Sequence, residues 1–548
     1  MMKINFIHPK ILGPLALLFL IAVLIQTTFQ YRPVNVDAQA PPIQHDEATK
    51  ILLSNAVEAL GGLETIQNVK TQFIMAEGNR FEPGQKFQSI ELPLPVSNFS
   101  YDLVHDLSSD ELQMDWHRGV IYPYPIQLDY SIVIANNTGY TYGKDGYFSP
   151  DRAPVKQSAV NALLKEQLIS SPLLLLKTGI ENPDSVRVQN DQMSRGSQNH
   201  VIELTLEENM PSFRIFLDNS TYLPSKLETV EDDPIHGDVL IEVFFDDWRE
   251  VDGVMFPFLV THELNDEVIE ERRNFIDVNV DLPDDTFILP TNIQSLSAEL
   301  ENDSSLGWLA SQWYLRMHAF GIPHYDINHF ANFTEMTPGV YHVTGTTHHS
   351  LVVEMNDHIV VVGPVLYEER SQAVINEIAK RWPDKPIRYI IADHPHDDHI
   401  GGLRAYAAEG ATIISSEAGL NEVKYILNSS HTLRPDSFQN ESPGQIKIVT
   451  VPDNEKMSLS DGNRSIDIYT VNNTHSNDML AVYLPSERIL LDSDLYSPGS
   501  TPEPFRKYSK ELLKFINDSG IEVNMIAGTH GSGGGGPLQD LYDFVNLK

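Results

Sequence analysis

Two patterns of apolar and polar residues follow each other along the chain. From Asp46 to Pro290, runs such as "HVIELTL" and "DVLIEVFFDDW" alternate apolar and polar residues, and Gly, Pro, Asn and Asp separate the runs. A period of two between such turns is typical of strands that bury one face of an antiparallel sheet. Two stretches, "DEATKILLSNAVEALGG" and "SAVNALLKEQLIS", instead repeat apolar residues three and four apart and predict helices. We therefore predict a β-rich domain over residues 41–290.

From Thr337 onward the pattern predicts strands and helices in alternation. "VYHVTG", "SLVVEM" and "HIVVVGP" are typical of strands, and "ERSQAVINEIAKRW" has the spacing of an amphipathic helix. The nearly all-apolar run "IRYIIAD" predicts a buried strand. This alternation predicts an α/β domain over residues 336–548. Residues 291–335 are predicted to be a linker with an interdomain helix at "WLASQWYLRMHAFG".

The first forty residues predict export. Lys3 and Lys10 lie before an uncharged apolar run of 15 residues, 11–25. That length matches the apolar part of a signal peptide and is shorter than the roughly 20 residues that a membrane-spanning helix needs. Residues 1–40 are therefore predicted to be a signal peptide or, if uncleaved, an inner-membrane anchor. The expected location is periplasmic or secreted.

Charge and cysteine content narrow the chemistry. The chain has 76 Asp and Glu residues against 38 Lys and Arg residues, a net charge of −38. Nucleic acid is excluded as the main partner, because a phosphate backbone needs a basic surface. The chain has no Cys, which excludes disulfides, thiolate metal ligands and cysteine nucleophiles. Any metal must therefore be held by His, Asp and Glu.

The segment "HPHDDH" carries the strongest chemical signal. It directly follows the predicted buried strand and precedes a Gly-Gly pair and a predicted helix. His394 and His396 are two residues apart in extended chain, so their side chains face the same side. Asp398 and His399 lie where the chain turns toward the helix and can address a second position. Imidazole and carboxylate together suit zinc, iron or manganese.

This segment has the HxHxDH signature of the metallo-β-lactamase-fold hydrolases, which the chain resembles from Thr337 to Lys548. The resemblance implies an αββα sandwich that holds two zinc ions, with iron or manganese as alternatives. His475, Asp494 and His530 each follow a predicted strand at the places of the family's remaining ligands, and Asp492 is the rival of Asp494. The implied ligand set is His394, His396 and His475 for one metal, Asp398, His399 and His530 for the other, and Asp494 as the bridge.

The resemblance also implies the reaction, which is hydrolysis of a small-molecule substrate. Two ions bridged by a carboxylate would hold a hydroxide as nucleophile near neutral pH. Asp398 would be the catalytic group that orients or moves the proton. The expected target is an ester, lactone, thioester or amide-like bond. The alternatives are an alkyl sulfatase, a mononuclear-iron persulfide dioxygenase, a β-lactamase, and a lipid or peptide carrier whose metal domain is structural.

Two adjacent histidines are candidates for the substrate side of the site. His348 and His349, in "VTGTTHHSLVVEM", lie in a predicted hairpin that borders the active site in this family. We expect one of them to face the substrate. The alternative is an exposed histidine in a turn.

The end of the β-rich region resembles the LolA/LolB-like lipoprotein-localisation half-barrels. The similarity depends on "YLPSKLETV", "DDWREVDGVMFPFLVTHEL" and "LPDDTFILP". It implies an antiparallel β half-barrel with helices that holds an apolar ligand or peptide in its concave face. The alternative is an accessory domain that only packs against or positions the catalytic domain.

Overall fold

The computed structural model describes most of the chain from Glu47 onward. The described residues are 47–82, 87, 94–121, 125–146, 151–155, 157–206, 211–233, 235–264, 267–300, 330–345, 347–441, 444–501 and 503–547. The predicted signal or anchor at residues 1–40 and the predicted helix "WLASQWYLRMHAFG" lie outside this set. Within these ranges no helix combines the length and the apolar character needed to span a bilayer.

Thirteen strands of the N-terminal half form one antiparallel sheet. Burial follows the alternation of apolar and polar residues in the first part of Ile126–Ala135, where Leu128 and Tyr130 are buried and Gln127 and Asp129 are exposed. The strands are β1 Thr71–Glu82, β2 Leu94–Asp106, β3 Glu111–Val120, β4 Ile126–Ala135, β5 Thr138–Gly143, β6 Arg152–Val155, β7 Val186–Ser194, β8 Ser197–Leu204, β9 Phe213–Asp218, β10 Pro224–Asp233, β11 Gly237–Val251, β12 Val254–Leu264 and β13 Glu267–Val278.

This sheet consists of two meanders that are joined at its centre by the pairing of β1 with β13. It runs β6-β5-β4-β3-β2-β1-β13-β12-β11-β10-β9-β8-β7. The pair β1–β13 joins strands from opposite ends of the region, with Gln72 opposite Val278. The predicted antiparallel sheet is confirmed. Among the residues that the structure describes, the sheet does not close on itself. Its likeness to a half-barrel stays a prediction.

Helices cover one face of this sheet. These are α1 Glu47–Leu60, α2 Leu63–Asn68, α3 Gln157–Ile169 and α4 Pro172–Glu181. Helix α4 begins after Ser171, whose hydroxyl accepts a hydrogen bond from the Leu174 amide, and Pro172 occupies its first turn. Leu60, Leu163 and Leu176 pack in one core with the buried side chains of the sheet. Helix α5, Ile293–Leu300, lies in the predicted linker.

Two mixed sheets build the C-terminal half. The first has seven strands in chain order and the second has six. In the first, the last four strands are parallel; in the second, one pair is parallel. The strands are β14 Asn332–Thr337, β15 Val340–Thr344, β16 Ser350–Glu354, β17 Ile359–Val362, β18 Ile387–Ile391, β19 Thr412–Ser416 and β20 Ile448–Val451, then β21 Lys456–Ser460, β22 Ser465–Thr470, β23 Leu480–Leu484, β24 Ile489–Asp492, β25 Met525–Gly528 and β26 Gly536–Pro537.

The two sheets pack face to face, and helices cover their outer faces. In β17, Val360 and Val362 belong to the core between the sheets, whereas Ile359 and Val361 pack under the helices of the first sheet. This period of two explains why "HIVVVGP" is apolar throughout: both faces of the strand are covered. The helices are α6 Glu368–Arg381, α7 Asp397–Ile400, α8 Leu403–Ala408, α9 Leu420–Asn428, α10 Ser437–Glu441, α11 Arg506–Ser519 and α12 Leu538–Asn546. The predicted αββα sandwich is confirmed.

The turn between β10 and β11 contacts the C-terminal half. The Asp238 carboxylate accepts hydrogen bonds from the Thr432 amide at 2.8 Å and the Leu433 amide at 2.9 Å. His236 lies 3.0 Å from a carboxylate oxygen of Glu422 on α9. The thirteen-stranded sheet therefore packs against the αββα sandwich through specific polar contacts. The division of the chain into two domains at residues 290 and 336 stays a prediction.

Candidate metal centre

The ends of five strands meet at one edge of the sandwich. The segment "HPHDDH" follows β18, and its last residues form the short helix α7. His475 lies in the loop before β23, Asp494 follows β24, and His530 follows β25. The hairpin loop between β15 and β16 carries His348. Because β18 and its neighbours are parallel, and β24 and β25 are parallel, their carboxyl ends open onto the same crevice.

The first group of donors consists of His394, His396, His475 and Asp494, all of them buried. His394 Nε2 lies 3.1 Å from His396 Nδ1. His475 Nε2 lies 3.1 Å from Asp494 Oδ2, and His394 Nε2 lies 3.6 Å from the same oxygen. This group contains the four residues that the resemblance implies for the first metal and its bridge.

The second group consists of His348, Asp398, His399 and His530. His348 Nε2 lies 3.1 Å from Asp398 Oδ2, and His399 Nε2 lies 3.7 Å from that oxygen. Three of these residues were implied as ligands of the second metal. His348 was expected on the substrate side, which stays a prediction, and its side chain lies among these donors.

Asp494 lies between the two groups. Its Oδ2 faces His475 and His394 of the first group, and its Oδ1 lies 3.1 Å from His399 Nε2 and 3.1 Å from His530 Nε2. One carboxylate thus presents one oxygen to each group. Asp492 does not take this place, since its Oδ2 accepts a hydrogen bond from the Tyr496 amide at 2.8 Å.

The electrostatics of the crevice favour a positive charge at its centre. Burial by itself raises the pKa of Asp494, but His399 and His530 hold that pKa well below its ordinary value. Burial by itself lowers the pKa of His399, but Asp494 and Asp398 hold it well above its ordinary value. Burial and the neighbouring His530 lower the pKa of His348 to about 3. The carboxylates therefore stabilise a cation, and the imidazole of His348 stays neutral at neutral pH.

The spacing of the donors fits divalent metal ions. Two atoms that each lie about 2.1 Å from one ion, at tetrahedral or octahedral angles, are about 3.0–3.4 Å apart. Most of the closest donor pairs in both groups are 3.1 Å apart. His399 Nε2 and Asp494 Oδ1 are buried and make no hydrogen bond despite this approach. Imidazole and carboxylate donors in this arrangement suit zinc, iron or manganese.

Two further buried side chains, Ser493 and Asp393, lie next to the predicted ligand histidines. Ser493 Oγ lies 3.2 Å from His394 Nδ1 and 3.1 Å from His399 Nδ1, so it contacts one histidine of each group. Asp393 Oδ2 lies 4.0 and 3.8 Å from the same two nitrogens and is fully buried. Such contacts fix the tautomer and direction of a ligand imidazole. Sequence reasoning did not assign a role to Ser493, because it becomes a neighbour of "HPHDDH" only when the sheets pack.

The Gly-Gly pair after "HPHDDH" has a packing reason. A Cβ atom on Gly401 would lie 1.8 Å from the Leu366 carbonyl oxygen. Leu366 has a positive φ of 65°, and its amide donates to the Asp398 carbonyl at 2.8 Å. The loop before α6 therefore holds α7, and with it Asp398 and His399, at a distance that only glycine at position 401 permits.

His349 lies beside the crevice with its ring turned toward the backbone. Its Nε2 lies 2.9 Å from the Gly531 carbonyl oxygen, and its amide donates to the Thr529 carbonyl at 2.7 Å. His349 thus joins the hairpin loop to the loop that carries His530. The expectation that it faces the substrate stays a prediction.

Known proteins share the C-terminal part of the chain. The family model "Metallo-beta-lactamase superfamily" matches residues 343–506. This range includes every implied ligand except His530. The C-terminal part of the chain therefore contains a metallo-β-lactamase superfamily domain.

Two curated relatives are similar over short segments. A linear primary-alkylsulfatase from Pseudomonas sp is 33% identical over 76 residues, which are 14% of this chain and 11% of that protein. An alkyl/aryl-sulfatase from Saccharomyces cerevisiae is 26% identical over 85 residues, which are 15% of this chain and 13% of that protein. The chain thus matches little more than a tenth of the length of either relative.

Solved structures with similarity to this chain include two metallo-β-lactamases. One, from Pontibacter korlensis, is 17% identical, and the match covers 40% of this chain and 98% of that protein, with a TM-score of 0.30. Another, from Pseudomonas aeruginosa in a mono-zinc form, is 19% identical and covers 39% of this chain and 93% of its own, with a TM-score of 0.30.

Proposed function

We propose that the chain is a hydrolase that uses two metal ions to cleave an ester, lactone, thioester or amide-like bond. The observation that carries this proposal is the position of Asp494, whose two oxygens each face a separate group of donors. The metal ions, when bound, supply a water that ionises near neutral pH and acts as the nucleophile. Zinc is the first expectation, with iron or manganese as alternatives.

The side chains around the ions have distinct tasks in this proposal. Asp494 would hold the two groups of donors at one separation, so that ions bound to both groups would lie beside the same substrate bond. Asp398 keeps a low pKa because His399 and His348 outweigh the effect of burial, and its ionised carboxylate can accept a proton from the attacking water. Its side chain is 12% exposed, which leaves it accessible from the crevice.

Metal content and turnover test the proposal together. The purified chain should contain two ions by elemental analysis and should hydrolyse at least one member of a panel of esters, lactones, thioesters and β-lactams. Loss of a side chain that hydrogen-bonds to a metal ligand typically costs about 10–100-fold in metal affinity or activity. Asp494 is itself a proposed ligand of both ions, so Asp494→Asn should lower kcat by at least ~100-fold. Asp518→Asn makes the same change at an exposed residue of α11 and should leave kcat unchanged. One ion per chain with full activity would contradict the proposal.

A second candidate is hydrolysis of a linear alkyl sulfate. It is favoured by the two curated relatives, which are both named as sulfatases. The discriminating assay offers an alkyl sulfate and the carboxylate ester of the same alkyl alcohol, and measures released inorganic sulfate and carboxylate. Sulfate release that disappears in Asp494→Asn would favour this candidate. Ester cleavage without sulfate release would exclude it.

We also propose that the chain is exported, because residues 1–40 have the composition of a signal peptide or anchor. Cell fractionation, combined with sequencing of the mature N-terminus, would separate cleaved export from anchoring. Cytoplasmic protein that begins at Met1 would contradict this.

A further inference from the structure

His348 occupies a position that the implied ligand set leaves unexplained. It lies in the loop between β15 and β16, far from "HPHDDH" in sequence, and is fully buried. Its ring centroid lies 4.2 Å from that of His530 and 5.0 Å from that of His399. Its Nε2 belongs to a set of four donor atoms, with Asp398, His399 and His530, that all lie within 4.8 Å of one another.

We propose that His348 is a direct ligand of the second metal ion. The second site would then have three imidazoles, from His348, His399 and His530, besides the carboxylates of Asp398 and Asp494. This inference rests on the proposed two-ion function and extends it from the shared bridge to the composition of one site.

The distance between His348 and Asp398 supports a role as ligand. The 3.1 Å between His348 Nε2 and Asp398 Oδ2 equals the distance between His475 Nε2 and Asp494 Oδ2 in the first group. Two donors that share one ion are about 3.0–3.4 Å apart. The pair therefore has the separation of two ligands at neighbouring corners of one coordination sphere.

The contact that His348 makes through Nδ1 is compatible with metal binding at Nε2. His348 Nδ1 lies 2.8 Å from Thr347 Oγ1. When Nδ1–H donates to this hydroxyl, the lone pair is on Nε2, which is the arrangement found at metal-bound histidines. The Thr347 hydroxyl is thus placed to accept from Nδ1–H in the tautomer that a ligand needs.

The backbone around His348 holds the ring in place. The next amide, of His349, donates to the Thr529 carbonyl at 2.7 Å, and His530 Nδ1 donates to the Thr347 carbonyl at 3.0 Å. Two hydrogen bonds therefore clamp the hairpin loop to the loop that carries His530. The two imidazoles approach the second site as one unit, and this lowers the entropy cost of metal binding.

The proposal gives the two sites different donor numbers. The first group has three imidazoles and one oxygen of Asp494, which suits a tetrahedral ion. The second would have three imidazoles and two carboxylates, which suits an ion with five or six ligands. We therefore expect the second site to accept manganese or iron more readily than the first.

Stepwise metal titration of the whole chain tests the proposal in solution. A chromophoric chelator competes for Zn²⁺ with the wild-type chain, His348→Gln and a matched control, His358→Gln. His358 is also buried in this sandwich, but it contacts Asp357 at the opposite end of β17. We expect His348→Gln to weaken the second binding step by at least ~10-fold and to leave the first unchanged, and His358→Gln to change neither.

A crystal structure of the metal-loaded wild-type chain tests the same point without a variant. His348 Nε2 should lie about 2.0–2.1 Å from the second ion. If the second ion is present but lies more than 3 Å from His348 Nε2, and Nε2 donates to Asp398 instead, the proposal is wrong. The two-ion function would still stand in that case. Equal affinities of the wild type and His348→Gln for the second Zn²⁺ ion would also overturn the role of His348, and would leave the two-ion function standing. A single ion per wild-type chain would overturn the two-ion function and this inference with it.

Discussion

At the scale of single residues, the candidate metal centre includes buried side chains that are not predicted ligands but contact the predicted ligand histidines. Ser493 directs one hydroxyl at His394 and His399, and so links the two groups of donors. Its Oγ is also 3.3 Å from Thr529 Oγ1, which offers the hydroxyl a further partner. One buried serine thus influences the direction of two imidazoles that belong to different groups of donors.

Replacement of Ser493 should weaken both sites together. Ser493→Ala removes the acceptor for Nδ1–H of two ligand histidines, and loss of such a partner typically costs about 10–100-fold in metal affinity. Competition with a chelator should show this loss in both binding steps. Ser97→Ala, at a buried serine of the thirteen-stranded sheet, should leave both steps unchanged. An affinity loss confined to one step would show that Ser493 does not link the sites.

At the scale of elements, α7 is positioned by close backbone packing. The helix has only four residues and contains Asp398 and His399. It is too short to be stable by its own hydrogen bonds, so the loop at Leu366 and the approach at Gly401 fix its position. The positions of Asp398 and His399 therefore depend on the packing of α7 against the loop before α6.

Gly401→Ala should damage the site without changing a ligand. The new Cβ would lie 1.8 Å from the Leu366 carbonyl oxygen, so α7 must move. Overpacking of this kind typically costs about 1–3 kcal/mol of unfolding free energy, and we expect a loss of metal affinity in addition. Urea unfolding and metal titration measure the two effects. Gly444→Ala is the control because a Cβ there meets no atom within 4 Å; equal losses in both variants would refute the packing argument.

At the scale of the whole molecule, the thirteen-stranded sheet contacts the sandwich through titratable groups. Burial alone would lower the pKa of His236, but Asp233 and Glu422 raise it to about 10, and its ring stacks on Tyr425 at 5.0 Å. Nearby, burial and the charge of Asp233 raise the pKa of Asp232 to about 8. Both groups therefore prefer the protonated form in the folded chain.

The stability of the chain should decrease as the pH rises. The protonated His236 contributes its full stabilisation below its unfolded pKa of about 6.5, and this stabilisation is lost as the pH rises through about 10. Asp232 acts in the same direction between its ordinary pKa of about 3.9 and its folded value of about 8, because the unfolded chain ionises first. Each pKa unit of difference corresponds to about 1.4 kcal/mol.

Urea unfolding of the metal-free chain between pH 5 and 10 measures this dependence. His236→Gln should flatten the curve in the upper part of the range, above about pH 8, where Asp232 no longer contributes. Asp232→Asn should flatten only the lower part. An unchanged slope in His236→Gln would show that this contact between the sheet and the sandwich does not depend on charge.

Local patterns determined much of this protein. The period of two predicted the antiparallel sheet, and the alternation of strands and helices predicted an α/β domain, which the resemblance specified as an αββα sandwich. The segment "HPHDDH" directly after a buried strand marked a candidate metal site. These features could be predicted because strand faces, helix faces and neighbouring ligands depend on residues a few positions apart. His475, Asp494 and His530 were assigned by resemblance, and the structure brings them to the same crevice.

Only the tertiary structure decided which distant residues meet. The pairing of β1 with β13, the hydroxyl of Ser493 beside two ligand histidines, and the approach of His348 to Asp398 join residues that are 50 or more positions apart. No local period encodes such contacts, because they arise when whole sheets and loops pack together. The sequence by itself determined the elements and the "HPHDDH" segment after β18. Packing determined which distant side chains join this segment to form two groups of donors.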